Sequence, residues 1–253
     1  MTLPDSGAAP GFAWQTCLDV DGQDAGHYLD YFNAPLLGLV TAAPRRVLEL
    51  GCASGMFGAK LKERFPTACV VGVEASRDAA AAAAGRLDRV ICARLEALDF
   101  AAEGLRHGEF DLVIAADILE HLVNPWDLLV RLRPFLAPEA LVLASIPNVR
   151  NLQLVTNLLV NGLWPYAERG LLDVTHLRFF TLEEIRRMFA ETGYAMQGFD
   201  INLSPSLAPL WEDNRNKAQM SLRLGRFTLD NVTPRELAQL CAERFLVKAR
   251  VAA

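Results

Sequence analysis

Val47-Leu48-Glu49-Leu50-Gly51-Cys52-Ala53-Ser54-Gly55-Met56-Phe57-Gly58 is the stretch that decides the fold. An apolar run closed by an acid reads as a buried strand, the glycines as a tight turn, and the residues after Gly55 as a helix start. Gly51 and Gly55 carry no Cβ, so the backbone there can approach a ligand closely. Unpaired N–H groups at the start of the following helix favour a carboxylate or phosphate. The spacing narrows the ligand. A dinucleotide fingerprint requires G-x-G-x-x-G, and here Ala53 and Met56 stand at its second and third glycine positions. A nicotinamide dehydrogenase is therefore disfavoured.

Working outward, strand-like and helix-like segments alternate. Strands are expected at 47–50, 70–74, 89–92, 112–115 and 141–146, with helices at 57–64, 77–86 and from Pro125 to about 133 behind an Asn124 cap. Such alternation predicts an α/β fold, a doubly wound and mostly parallel sheet with helices on both faces. Thr181-Leu182-Glu183-Glu184 reads as a capping box, Thr233-Pro234 as another helix start, and 194–201 and 245–251 as strands. An apolar stripe through Tyr28, Tyr31, Phe32, Leu36 and Leu39 predicts an N-terminal helix across the entrance of the site. Ahead of it, residues 1–25 read as a tail. Residues 148–180 are too long for an ordinary α/β connection and are expected to form a helical lid over the substrate. Helices over the site are also expected in 203–230, and all of 1–253 is read as one domain.

Composition excludes several classes. Hydrophobic residues make up 52% of the chain and charged residues 22%, as in an ordinary globular protein rather than a disordered one. A net charge of −5 argues against a nucleic-acid partner. No apolar run is long enough for a membrane span, and no basic-then-apolar leader opens the sequence. Five scattered cysteines without C-x-x-C predict neither a disulfide framework nor a zinc site, which suits a cytoplasmic location.

The pattern E-x-G-x-x-x-G at Glu49–Gly55 resembles motif I of the class I methyltransferases, and three later segments agree. The resemblance implies S-adenosylmethionine as cofactor and S-adenosylhomocysteine as product. It places the amino-acid end of the cofactor over Gly51, Ala53 and Gly55, with Glu49 on the ammonium side. In Val70-Val71-Gly72-Val73-Glu74-Ala75-Ser76, Glu74 closes the second strand and is placed to accept from both ribose hydroxyls, with Ala75 beside it. At Arg94-Leu95-Glu96 the family would carry an acid where Arg94 stands, leaving Leu95 backbone or Glu96 for the adenine. Phe110-Asp111-Leu112-Val113, followed by Asp117-Ile118-Leu119-Glu120-His121, resembles motif IV and places Asp117 beside the sulfonium.

The spacing of Asp117, Glu120 and His121 could bring all three onto one helical face. Ubiquinone-pathway O-methyltransferases are similar here, and in them a like cluster is associated with a divalent metal. Asp117-x-x-Glu120 also serves as a helix cap, and no metal is assigned. Ser145–Asn151 and Gly170–Thr181, the latter carrying Asp173-Val174-Thr175-His176, resemble a bacterial subgroup that accompanies glycosyltransferases or natural-product pathways. His176 is a candidate base with Asp173 orienting it, and His121 a further catalytic candidate. A structural latch is the competing account of D-x-T-H. The expected reaction is methyl transfer to an oxygen of a small-molecule or glycan substrate. The alternatives are an N-methyltransferase acting on a heterocycle and a non-catalytic partner subunit. The hydrophobic 148–180 segment could support a homodimer.

Overall fold

The computed structural model describes residues 32–252. Helix α1 (Ala34–Gly38) precedes β1 (Arg46–Leu50), α2 (Met56–Arg64), β2 (Cys69–Glu74), α3 (Arg77–Ala84), β3 (Arg89–Cys92) and β4 (Phe110–Ala116). Then come α4 (Pro125–Leu132), β5 (Leu136–Pro147), α5 (Leu152–Thr156), α6 (Leu182–Glu191), β6 (Tyr194–Leu203) and α7 (Ala208–Asn214). A hairpin of β7 (Met220–Leu224) and β8 (Phe227–Val232), α8 (Pro234–Cys241) and β9 (Ala242–Val251) follow. Seven strands form one sheet in the order β3-β2-β1-β4-β5-β9-β6. β1 to β5 pair in parallel, whereas β9 is antiparallel to both β5 and β6.

The strand period of two divides the core. Val47, Val70, Leu112, Ile114 and Leu143 face Leu36, Phe57, Leu61 and Ala83 from α1, α2 and α3. Their neighbours Leu48, Leu50, Val71, Val73, Val113, Val142 and Ala144 point the other way, onto Leu128, Leu129, Leu132, Ile185, Met188 and Phe189 of α4 and α6. Alternate side chains of one strand must lie on opposite faces, so a run that is apolar throughout requires helices on both sides. The caps fall where the sequence places them. The side chains of Asn124, Thr181 and Thr233 accept from the backbone N–H of Asp127, Glu184 and Glu236.

Sheet order reverses between β1 and β4. The crevice beyond the carboxyl ends of these two strands is where doubly wound sheets bind ligands. In 203–230, where helices are expected, one helix, α7, is followed by the β7–β8 hairpin. Leu222 and Leu224 are buried while Ser221 and Arg223 are exposed, a strand alternation. Gly225, with φ +58, supplies the tight turn between Leu224 and Phe227. The hairpin packs on Leu152, Leu237, Leu240 and Cys241 of α5 and α8. Of the expected N-terminal helix, Tyr28 and Tyr31 lie outside the described residues, and so does the 1–25 tail.

Candidate active site

A cavity of about 260 Å³ opens at the reversal point. Glu49, Gly51, Ala53, Glu74, Ala75, Leu95, Glu96, Asp117 and His121 all line it, joined by Phe32, Asn33, Ile118 and Thr175. Gly55 is not in its wall. It is the left-handed N-cap of α2, with φ +78, and turns the chain into the helix. Gly51 has φ +66, and a Cβ there would stand 2.6 Å from Ile118 Cδ1. Ala53 adopts φ +45 without being glycine. The turn is pinned from β2: Cys52 N donates to the Val73 carbonyl at 3.0 Å, and Ala53 N to Glu74 Oε2 at 2.8 Å.

Glu74 Oε1 accepts from Ser76 N at 2.8 Å. Each carboxylate oxygen therefore spends one lone pair on backbone and keeps another for a ligand hydroxyl. Glu49 sits deeper. Burial is the main influence pushing its carboxyl from 4.5 up to about 8; an N–H from Gly58 opposes this and the nearby charge of Glu74 adds to it. Its Oε2 has no hydrogen-bond partner. A buried carboxyl oxygen without a partner suits a cationic group entering the cavity, whose charge would favour release of the carboxyl proton. On the far side, Arg131 of α4 donates to the carbonyls of Leu95 and Leu98 at 3.0 and 2.7 Å, holding the loop that carries Leu95 and Glu96.

Asp117 directly follows β4 with φ +51, a conformation Asp tolerates better than most residues. Its Oδ1 accepts from Ser145 Oγ at 2.8 Å and from Arg244 Nε at 3.0 Å. Asn33, the N-cap of α1, donates to Ser145 Oγ at 3.0 Å. This backbone turn corrects one expectation. Glu120 and His121 lie in a short 3₁₀ turn (Leu119–His121) rather than on a helix continuing from Asp117, so the three side chains share no face. His121 reaches the cavity, whereas Glu120 is 1% exposed and buried behind it.

The segment 171–178 crosses behind that turn. Leu177 N and Arg178 N donate to the Glu120 carbonyl at 2.8 and 2.9 Å. The expected pairing of Asp173 with His176 is also corrected: His176 N donates to the Asp173 backbone carbonyl at 3.0 Å, but the Asp173 carboxyl does not bond the His176 ring. Asp173 Oδ1 accepts from Thr175 N at 2.8 Å and Thr175 Oγ1 at 2.6 Å. His176 turns its Nδ1 to the Leu171 carbonyl at 3.3 Å and lies outside the cavity wall. The rings of His121 and His176 meet edge to face with centroids 4.8 Å apart. Burial, and next the neighbouring His121, push His176 down to about 4. His176 Nε2 faces Glu120 Oε1 at 3.9 Å, and neither Glu120 oxygen has a donor. Burial and then the charge of Asp117 raise Glu120 well above the ordinary carboxylate range. One atom from each of Glu120, His121 and His176 lies within 4.8 Å of the others.

Sequence reasoning missed Arg131, Arg244 and Asn33, which no local pattern marks. Ser145 and Thr175 stood inside quoted motifs without a role.

A crevice at the reversal point, a glycine turn and an acid closing the second strand define the Rossmann-like class that binds a nucleoside through its ribose. A methyltransferase-domain family model matches residues 25–197, and the chain belongs to that family. Its family is thus that of a methyltransferase domain, on the Rossmann-like fold of S-adenosylmethionine-dependent methyltransferases. It is 27% identical over 161 residues to malonyl-[acyl-carrier protein] O-methyltransferase of Geobacter sulfurreducens, covering 62% of this chain and 58% of that protein. With trans-aconitate 2-methyltransferase of Methylobacterium radiotolerans it shares 33% identity over 106 residues, 42% of this chain and 39% of that protein. The chain thus spans little more than half the length of one curated relative and less of the other. Among solved structures, an S-adenosylmethionine-dependent methyltransferase from Archaeoglobus fulgidus matches with a TM-score of 0.57 at 16% identity, covering 85% of this chain and 90% of that one. That likeness is one of fold. No helix among the described residues is long and apolar enough to cross a membrane.

Proposed function

We propose that this enzyme transfers a methyl group to an oxygen of a small organic molecule or glycan, with His121 as the base. The observation that carries this reading is the place of His121 in the cavity wall with Asp117, Glu74 and the glycine turn. Two further likenesses support an oxygen acceptor: the D-x-L-E-H similarity to ubiquinone-pathway O-methyltransferases, and the curated relative named as an O-methyltransferase.

S-adenosylmethionine supplies the methyl on a sulfonium, already an electrophile. Glu74 would hold the ribose, Glu49 the ammonium and the Leu95–Glu96 loop the adenine, with Asp117 at the sulfonium side. Alignment of acceptor, methyl and sulfur is then the protein's main contribution. Bound this way, the cofactor would offer its methyl carbon to the acceptor oxygen, and His121 would take the hydroxyl proton. Burial holds His121 below its ordinary value, so the ring is neutral and able to accept. His176 and Asp173 act from behind, outside the wall.

The relatives are named for a malonyl group and for aconitate, both of which carry a free carboxylate, and a carboxylate acceptor would need no base. The test is transfer of labelled methyl from S-adenosylmethionine to a panel of hydroxylated and carboxylated acceptors, with wild type and His121→Gln. The reading expects a hydroxylated acceptor and a loss of about 100-fold or more in the variant. Equal rates in both proteins on a carboxylic acid would overturn it.

A further inference from the structure

We propose that Thr175 is a positioning residue that fixes which nitrogen of His121 takes the proton. The Thr175 hydroxyl has one hydrogen and donates it to Asp173 Oδ1 at 2.6 Å. Toward His121 Nδ1, 3.0 Å away, that oxygen can only accept. The Thr175 carbonyl, also an acceptor, lies 3.3 Å from the same Nδ1. Two acceptors facing one ring nitrogen place the hydrogen on Nδ1 and leave the lone pair of the neutral ring on Nε2.

Asp173 is 4% exposed and accepts both hydrogen bonds at one oxygen, so the Asp173–Thr175 pair is a built element of the fold. Its effect on the chemistry follows from charge. When His121 takes a proton, the new cation lies one hydroxyl away from a carboxyl. The titratable groups around the ring are Asp117 at the end of β4, Glu120 in the turn, and Asp173 and His176 in the crossing segment. Among them Asp173 opposes the effect of burial most strongly. D-x-T-H therefore works through Thr175 onto His121, while His176 is held apart with its own Nδ1 on Leu171.

The inference gives a purpose to the methyl-transfer reading and rests on it, but its test does not need the acceptor. Full-length protein labelled with ¹⁵N-histidine is observed by long-range ¹H–¹⁵N correlation, which distinguishes the two tautomers. Only four histidines contribute, and His121→Gln identifies the signal. The expected result is a protonated Nδ1 and an unprotonated Nε2 at His121. Thr175→Val should reduce that preference and Thr175→Ser keep it, while Asp173→Asn keeps the tautomer and lowers the pH at which the ring protonates. S-adenosylhomocysteine binding on the same samples separates the two ideas, since loss of binding by wild type would sink the methyl-transfer reading and leave the tautomer result standing. A protonated Nε2 in wild type overturns the proposal, as does an unchanged spectrum in Thr175→Val.

Discussion

Replacing Glu49 by Gln should make the protein's stability respond less to pH, and the size of the change follows from burial. The carboxyl titrates at 4.5 when unfolded and at about 8 when folded, chiefly because burial disfavours the charge. Between these values the folded protein holds a proton that the unfolded chain has released. Stability is then full below pH 4.5, falls as pH rises through the window, and levels off above about 8. At about 1.36 kcal/mol per pH unit, less near each end of the window, the cost between pH 5 and pH 8 is about 3.5 kcal/mol. Gln keeps the shape and can still accept from the Gly58 N–H, but it does not titrate. Urea unfolding of both proteins at pH 5, 6.5 and 8 isolates this one group, because every other titration is shared. The variant should gain on wild type by about 3.5 kcal/mol across that range. A difference between the two proteins that stays constant with pH would refute the reasoning.

Three other perturbations test the site. Gly51→Ala combines φ +66 with a methyl 2.6 Å from Ile118; about 1–2 kcal/mol of backbone strain alone predicts a melting temperature lower by several degrees, and unchanged melting would contradict the turn geometry. Glu74→Ala removes acceptors for two ribose hydroxyls, so calorimetry should find S-adenosylhomocysteine binding about 100-fold weaker; a change under threefold would remove Glu74 from the cofactor site. Arg244→Met leaves Asp117 without the guanidinium 3.0 Å away and should cost about 1–2 kcal/mol in denaturation. Asp117→Asn added to it should recover part of that loss, and strict additivity would mean that the ion pair contributes nothing.

The parts legible in sequence were those written in short-range pattern. Apolar runs alternating with capped helices gave the strand and helix order. The glycine turn and Glu74 lie on adjacent parallel strands, so their distance in space follows from the βαβ unit. Other parts depend on pairings no local pattern encodes. Arg244 reaches Asp117 because β9 inserts antiparallel beside β5, and Asn33 reaches Ser145 from outside the sheet. The Asp117–His121 spacing misled because it assumed an unbroken helix, while the left-handed backbone at Asp117 breaks it. Asp173 and His176 looked like a pair because they are close in sequence. The turn joining them instead directs Asp173 to Thr175, which sends its effect toward His121. The β7–β8 hairpin could have been read. Met220-Ser221-Leu222-Arg223-Leu224 alternates, and Gly225-Arg226 is a suitable two-residue turn.

The position of β9 has a consequence for the order in which the molecule can be made. During synthesis β6 leaves the ribosome well before the strand that joins it to the sheet. Until residues 242–251 arrive, β5 presents a bare edge and β6 has no neighbour to pair with. A nascent chain in that interval exposes two unpaired strands, the condition that invites association with other chains. Arg244 arrives on the same late strand, so Asp117 meets its cation only when the sheet closes. Completion of the fold and completion of the cavity's charge balance are thus a single event, and a chain stopped short of Ala242 would have neither.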